Sequence, residues 1–172
     1  MGEQMILTSK SLAPDGACAA QFAALCWRLH GAEVQVLLIT SRDTGRWVLP
    51  KGWAMEGRSP AEAAAREAWE EAGAVGTVGA VSIGHFHYDK AMAGAEPVRC
   101  RVEVFGLSVA DLAAKYPERK QRSRRWFTAQ EAAQMVNEPE LRALLAALPA
   151  GLAVESAPAP LAASPDQDHI RG

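Results

Sequence analysis

Apolar residues crowd positions 17–29, with Phe22, Leu25 and Trp27, and recur over Glu33–Thr40 at Val34, Val36, Leu37, Leu38 and Ile39. His30-Gly31 between the two runs is a turn signal, so they predict two strands joined as a hairpin. Asp43-Thr44-Gly45 marks a second turn, and Trp47-Val48-Leu49 reads as a short strand that Pro50 stops. Alternation returns over residues 75–88, 98–109 and 125–127, which predicts three further strands. Between these runs the pattern changes to a helical one. Ser59 suits an N-cap, Pro60 the first helical position, and Glu62 the third residue of a capping box. An alanine-rich stretch follows and ends at Gly73, a natural C-terminal stop. Thr128 with Glu131 forms a second capping box. It opens a helix that runs, with a break near Pro139, to Leu148. Residues 1–11 read as a loose arm. Residues 149–172, rich in Ala and Pro with few large apolar side chains, read as a disordered tail. The folded unit is then residues 12–148, of α/β class, with mixed strands and two helices.

A chain of 172 residues that is 49% apolar suits one domain with one substantial core. Its net charge of −2 announces neither a nucleic-acid nor a membrane partner, so any electrostatic function must come from local clusters. Cys18, Cys26 and Cys100 form no metal-like pair and no disulfide framework. Cys26 and Cys100 lie in apolar runs and read as buried thiols, which suits a reducing cytoplasm. Residues 1–11 lack a basic region followed by an apolar core, so they do not read as a signal peptide. No stretch approaches the roughly 20 apolar residues that span a bilayer.

The chemistry concentrates between Gly52 and Gly73. At about 100° per residue, Glu67, Glu70 and Glu71 fall at about 0°, 300° and 40° around a helix. They share one face, while Ala65, Ala68, Trp69 and Ala72 lie opposite and can pack against a sheet. Three carboxylates on one face repel one another, and a hard divalent cation such as Mg²⁺ relieves that repulsion by binding their oxygens. Glutamates alone would read as a solvated acidic face. The loop before the helix, Arg66 and the closing Gly73 argue for a site.

The segment resembles the signature of the Nudix hydrolases: a glycine, five residues, Glu, seven residues, then Arg-Glu-apolar-x-Glu-Glu-x-Gly-apolar. Gly52, Arg66, Glu67, Ala68, Glu70, Glu71, Gly73 and Ala74 fall in register. The resemblance implies a Nudix-type α/β/α sandwich with a mixed sheet and a catalytic loop-helix-loop. It also implies hydrolysis of a phosphoanhydride in a small phosphorylated substrate, with Mg²⁺ or Mn²⁺ held by Glu67, Glu70, Glu71 and the carbonyl of Gly52. Glu70 or Glu71 would act as general base, and Arg66 would belong to the catalytic set. One position departs: the first glutamate of the pattern falls on Arg58. In the family that glutamate mainly supports the arginine, so Arg66 needs another partner. Glu62, four residues earlier, stands in the favourable order for a helical ion pair, and Glu56 is the other candidate. The exchange also puts Arg58 within reach of a substrate.

Lys51 immediately precedes the loop, and we read it as a phosphate contact. Trp53 is either a loop anchor or a wall for the substrate. A basic run, Arg119-Lys120-Gln121-Arg122-Ser123-Arg124-Arg125, precedes Trp126-Phe127. Arginine makes forked bonds to phosphate, so the run suits a clamp for a highly phosphorylated ligand, with Arg42, Arg46, Lys51 and Lys90 adding to the same surface. The alternative is a solvated loop or a weak nucleic-acid patch. The arrangement is similar to the diphosphoinositol-polyphosphate phosphohydrolase branch of the family, and Arg122 and Arg124 match that branch best. Phe86, His87 and Tyr88 offer an aromatic surface, of which alternation leaves one or two facing the site. His85 and His87 are two apart with no third ligand nearby in sequence, which does not read as zinc binding. Three functional readings result. They are an enzyme on inositol pyrophosphates or dinucleoside polyphosphates, an enzyme on ordinary nucleotides or capped RNA, and a silent domain that binds a phosphorylated ligand.

Overall fold

The computed structural model describes residues 18–148 and Leu152. The expected arm, and the expected tail apart from Leu152, lie outside the described residues. The predicted hairpin is present as β1 (Ala19–His30) and β2 (Glu33–Thr40), antiparallel with Trp27 opposite Val36. β3 (Trp47–Val48) continues along β2. Pro50 has no N–H for that ladder, and the chain there crosses to β1 instead: the Pro50 carbonyl accepts from Ala24 N at 3.0 Å. β4 (Lys51–Trp53) then pairs antiparallel with the first half of β1, placing Gly52 opposite Phe22.

The helix α1 (Pro60–Ala72) follows, then β5 (Ala74–Val78), β6 (Gly84–Met92) and β7 (Ala95–Leu112). The single strand expected over residues 75–88 is therefore two. Ser82 interrupts it, bonding both the N–H and the carbonyl of Gly84, and the two pieces pair with opposite ends of the long β7. β7 runs parallel to β1 from Cys100 to Ser108, which makes the sheet mixed. β8 (Arg124–Thr128) lies antiparallel to β2 and completes eight strands. The last expected helix is also two, α2 (Ala129–Met135) and α3 (Pro139–Ala146), because Val136 is extended and Pro139 suits only a fresh start.

Alternation along the central strands feeds two cores. Leu25, Val36, Leu38, Val102 and Val104 face Leu141 and Leu145 of α3, and Leu152 is buried among them. Ala24, Cys26, Leu37, Ile39, Phe105 and Leu107 face Ala61, Ala64, Ala68 and Ala72 of α1. The result is the expected α/β/α layering. The residues of α1 that enter this core are all alanines, so its backbone can sit close to the sheet. Trp69, expected on that stripe, is half-buried and outside both cores.

Candidate active site

Both ends of α1 are fixed by its own sequence. Ser59 Oγ accepts from Glu62 N at 3.1 Å, and Glu62 Oε1 accepts from Ser59 N at 2.9 Å, so the capping box is closed. Such a cap contributes about 0.5–2 kcal/mol. At the other end Gly73 adopts φ 67° and donates its N–H to Trp69 O at 3.0 Å. A side chain there would also meet the Tyr116 ring at 2.5 Å. The loop after β7 is latched to this end through Glu118 N to Glu70 O, 2.9 Å, and Ala113 N to Gly73 O, 2.8 Å.

Glu67 and Glu71 are adjacent turns of α1 and line one pocket with Gly52. Gly52 is needed for space: a Cβ at that position would overlap the Glu67 carboxylate. Glu71 is 8% exposed and accepts from Lys51 N at 3.3 Å, with Arg122 Nη2 3.5 Å from its other oxygen. Burial pushes the Glu67 carboxyl from its ordinary 4.5 to about 8, and the charge of Glu71, a hydrogen bond to it, and the charges of Glu70 and Glu118 all act in the same direction. Burial also raises Glu71, against the opposing pull of Arg122 and Lys51. Two carboxylates held together at this cost have the oxygen donors and the excess of negative charge that suit a hard divalent cation.

The pocket has a volume of about 480 Å³, large enough for a small phosphorylated molecule. Arg42, Arg46, Lys51, Lys90 and Arg122 line it together with the carboxylates. Lys51 is lowered to about 8 by burial, though Glu71 and Glu138 favour its charge, and its Nζ lies 4.7 Å from the centre of the Tyr88 ring. Tyr88 in turn donates to Gln21 Oε1 at 2.7 Å. Arg46 is held to Glu138 at 3.1 Å, while its Nη1 is buried without a hydrogen-bond partner. Trp53 also lines the pocket.

Several expected residues stand elsewhere. Arg66 pairs with neither Glu62 nor Glu56. Glu62 is held in the capping box, and Arg66 Nε bonds Glu70 at 2.8 Å. Both partners of that pair lie outside the pocket lining. Arg58 is exposed and also outside the lining. The basic run is not gathered at one place, because successive residues on and before β8 point apart. Arg124 donates to Ala72 O at 2.7 Å and covers the Tyr116 ring, so it fastens the end of α1. Arg125 covers Phe127, and Arg119 and Lys120 are exposed. Arg122 does reach the pocket, but it is already bound to Glu118 at 2.8 Å and to Thr40 O at 3.1 Å. Of the aromatic trio, Phe86 is in the core, His87 faces away, and Tyr88 lines the pocket. Gln21, Glu118 and Glu138 were not singled out by sequence reading, since each meets its partner only through long-range packing.

A pocket of paired carboxylates on a capped helix, lined also by cations, on a mixed α/β/α sandwich, has the oxygen donors for a divalent cation and the charges for an anionic ligand. Residues 20–148 match the NUDIX domain family, and the chain belongs to that family. It is 33% identical over 111 residues to Nudix hydrolase 12, mitochondrial, of Arabidopsis thaliana, covering 60% of this chain and 52% of that one. It is 30% identical over 116 residues to human diphosphoinositol polyphosphate phosphohydrolase 3-alpha, covering 66% of each. The chain thus spans half to two thirds of these curated relatives. Among solved structures, a NUDIX hydrolase from Nitrosomonas europaea superposes with TM-score 0.59 at 21% identity, covering 77% of this chain and 88% of the other. A C. elegans Ap4A hydrolase binary complex gives TM-score 0.58 at 22% identity, covering 78% and 97%. At these identities the superpositions establish a shared fold.

Proposed function

We propose that the chain is a divalent-metal-dependent pyrophosphohydrolase whose substrates carry several phosphates, with inositol pyrophosphates and dinucleoside polyphosphates as the favoured classes. One observation carries the reading: a carboxylate pair that suits a cation and a wall of Arg and Lys that suits a polyanion share one pocket. Glu67 and Glu71, with the carbonyl of Gly52, would hold Mg²⁺ or Mn²⁺. When bound, the cation would supply positive charge against the phosphate oxygens and a more acidic water. Arg42, Arg46, Lys51 and Lys90, which line the same pocket, would bind the phosphates.

In the reaction a water oxygen bonds to phosphorus while the bridging P–O bond breaks. The leaving phosphate takes the electron pair, and a carboxylate takes the proton of the water. The family resemblance implies Glu70 or Glu71 for that proton. Of these two Glu71 is favoured, because it lines the pocket, whereas Glu70 is paired with Arg66 outside it. Arg122 then acts by orienting Glu71 rather than by gripping distant phosphates. Nucleotides are the second reading, supported by Trp53 and Tyr88 in the pocket wall. Capped RNA and a silent binding domain have no such support. Among the described residues no helix is long and apolar enough to cross a membrane. Buried thiols at Cys26 and Cys100 favour a reducing compartment such as the cytoplasm, and some relatives are named as mitochondrial.

The substrate class is tested by kcat/KM for a long polyphosphate substrate and a short nucleoside diphosphate derivative. Arg42→Ala with Lys90→Ala should lower kcat/KM for the long one about tenfold or more, equivalent to one lost charged hydrogen bond. The short one should change by less than about threefold. Equal losses for both would remove the polyphosphate wall from the account.

A further inference from the structure

β6 presents alternate residues to opposite sides. Phe86 enters the core and Tyr88 the pocket, while His85 and His87 share the other face, their rings 5.5 Å apart and perpendicular. The sequence offered this pair no third ligand. Folding supplies one from more than fifty residues away, at the start of α3. Glu140 Oε1 lies 3.0 Å from His87 Nδ1 and accepts the His87 backbone N–H at 2.7 Å. One ligand atom from each of His85, His87 and Glu140 lies within 4.8 Å of the others. Among the described residues no other group of three His, Cys, Asp or Glu side chains gathers so closely. None of the three lines the catalytic pocket.

Two imidazoles and a carboxylate, with room for water, are the ligand set of an open zinc site. Ligand bonds of about 2.0–2.2 Å at tetrahedral angles put ligand atoms about 3.3 Å apart. The His87–Glu140 pair already stands at 3.0–3.2 Å. The His85 ring is exposed and has only a short closing movement to make. We propose that His85, His87 and Glu140 form a second metal site, taking zinc or a similar borderline cation rather than Mg²⁺. The hard ion favours all-oxygen ligands, whereas imidazole favours later transition metals. Such an ion would fasten the start of α3 to the outer edge of β6. Glu138, two residues earlier, holds the pocket residue Arg46, so the fastening would extend to the pocket wall. The bland alternative is a simple hydrogen-bonded tether between Glu140 and His87, with His85 uninvolved. This site stands apart from the reading of the pocket and does not depend on the reaction there.

The test is Zn²⁺ binding to the full chain in millimolar Mg²⁺, measured by competition with a chromophoric chelator, with melting temperature as a second readout. His85→Ala removes one proposed ligand and leaves the Glu140–His87 bond intact, so it separates the two alternatives. The wild type should bind one Zn²⁺ in this way, and its melting temperature should rise by about 5–10 °C at a hundredfold excess over Kd. His85→Ala should bind at least about tenfold more weakly and lose the rise, while melting like the wild type without zinc. Glu140→Gln should also weaken binding. Equal zinc affinity in wild type and His85→Ala would overturn the site. So would zinc binding lost in Glu71→Gln but kept in His85→Ala, since the ion would then be in the catalytic pocket.

Discussion

Glu67 and Glu71 stand one helical turn apart in different surroundings. Glu71 has Arg122 and Lys51 beside it, whereas Glu67 is pushed toward protonation, a cost that a bound cation would relieve. Glu67→Gln should therefore raise the Mg²⁺ concentration needed for half-activity. Glu71→Gln should raise that concentration and also lower kcat at saturating metal by about 10²-fold or more. Glu70→Gln, which frees Arg66 outside the pocket, should do less than either. Steady-state rates across a Mg²⁺ titration distinguish the three, and a Glu70→Gln loss as large as that of Glu71→Gln would contradict the assignment. The Glu67 carboxyl predicts a pH effect. Its folded value, about 8, lies above its ordinary 4.5. The protonated form is thus favoured by folding, and its contribution is complete below about 4.5 and lost as pH rises toward 8. In chelator, thermal stability should fall between pH 5 and pH 8, and Mg²⁺ should reduce the fall. A flat chelator profile would mean that the pair is not strained. The helix period made Glu67 and Glu71 legible in the sequence. The partners of Arg66 and Arg124 were not legible, because a basic residue near a motif does not show which neighbour it meets. Arg124 looked like part of a clamp, yet strand alternation and the Ala72 carbonyl decided its direction.

At the scale of elements, the sequence carried its clearest information at helix ends. Both capping boxes close as read, at Ser59 with Glu62 and at Thr128 with Glu131. The stop at Gly73 also holds, with a left-handed φ of 67°. Strand limits were less legible. Residues 75–88 alternate well enough for one strand, and the split around Ser82 depends on which end of β7 each half pairs with. β4 was missed because three residues that include a glycine carry no pattern; pairing with β1 makes them a strand. That pairing sets Gly52 against Glu67 and yields a prediction. In Gly52→Ala the new methyl group meets the end of a flexible side chain, so the fold should persist while the carboxylate is displaced. Activity should fall about tenfold or more, with a melting temperature within a few degrees of the wild type. Gly73→Ala is the contrast, since positive φ and the Tyr116 ring both oppose it, and it should destabilise the fold by about 1 kcal/mol or more. A Gly52→Ala protein with wild-type turnover would mean that Glu67 need not stand where it does.

Across the whole molecule, the mixed sheet is the frame that makes a site from distant segments. β1 pairs with β4 on one side and β7 on the other, which brings the loop before α1, the latch at Glu118 and the Lys90 end of β6 around one pocket. The family resemblance was legible from local pattern, and the layer order is what that resemblance implied. The contacts Arg46–Glu138, Tyr88–Gln21 and His87–Glu140 were not, since they span 92, 67 and 53 residues. In the proposed reaction this pocket hydrolyses phosphoanhydrides with a divalent cation on the α1 carboxylates. The most direct measurement is phosphate release from a dinucleoside polyphosphate or inositol pyrophosphate by wild type and Glu71→Gln, in chelator and across a Mg²⁺ or Mn²⁺ titration. The account predicts turnover by the wild type that chelator abolishes and added metal restores, with Glu71→Gln restored poorly even at high metal. Undiminished wild-type turnover in chelator, or equal restoration of both proteins at equal metal, would contradict it.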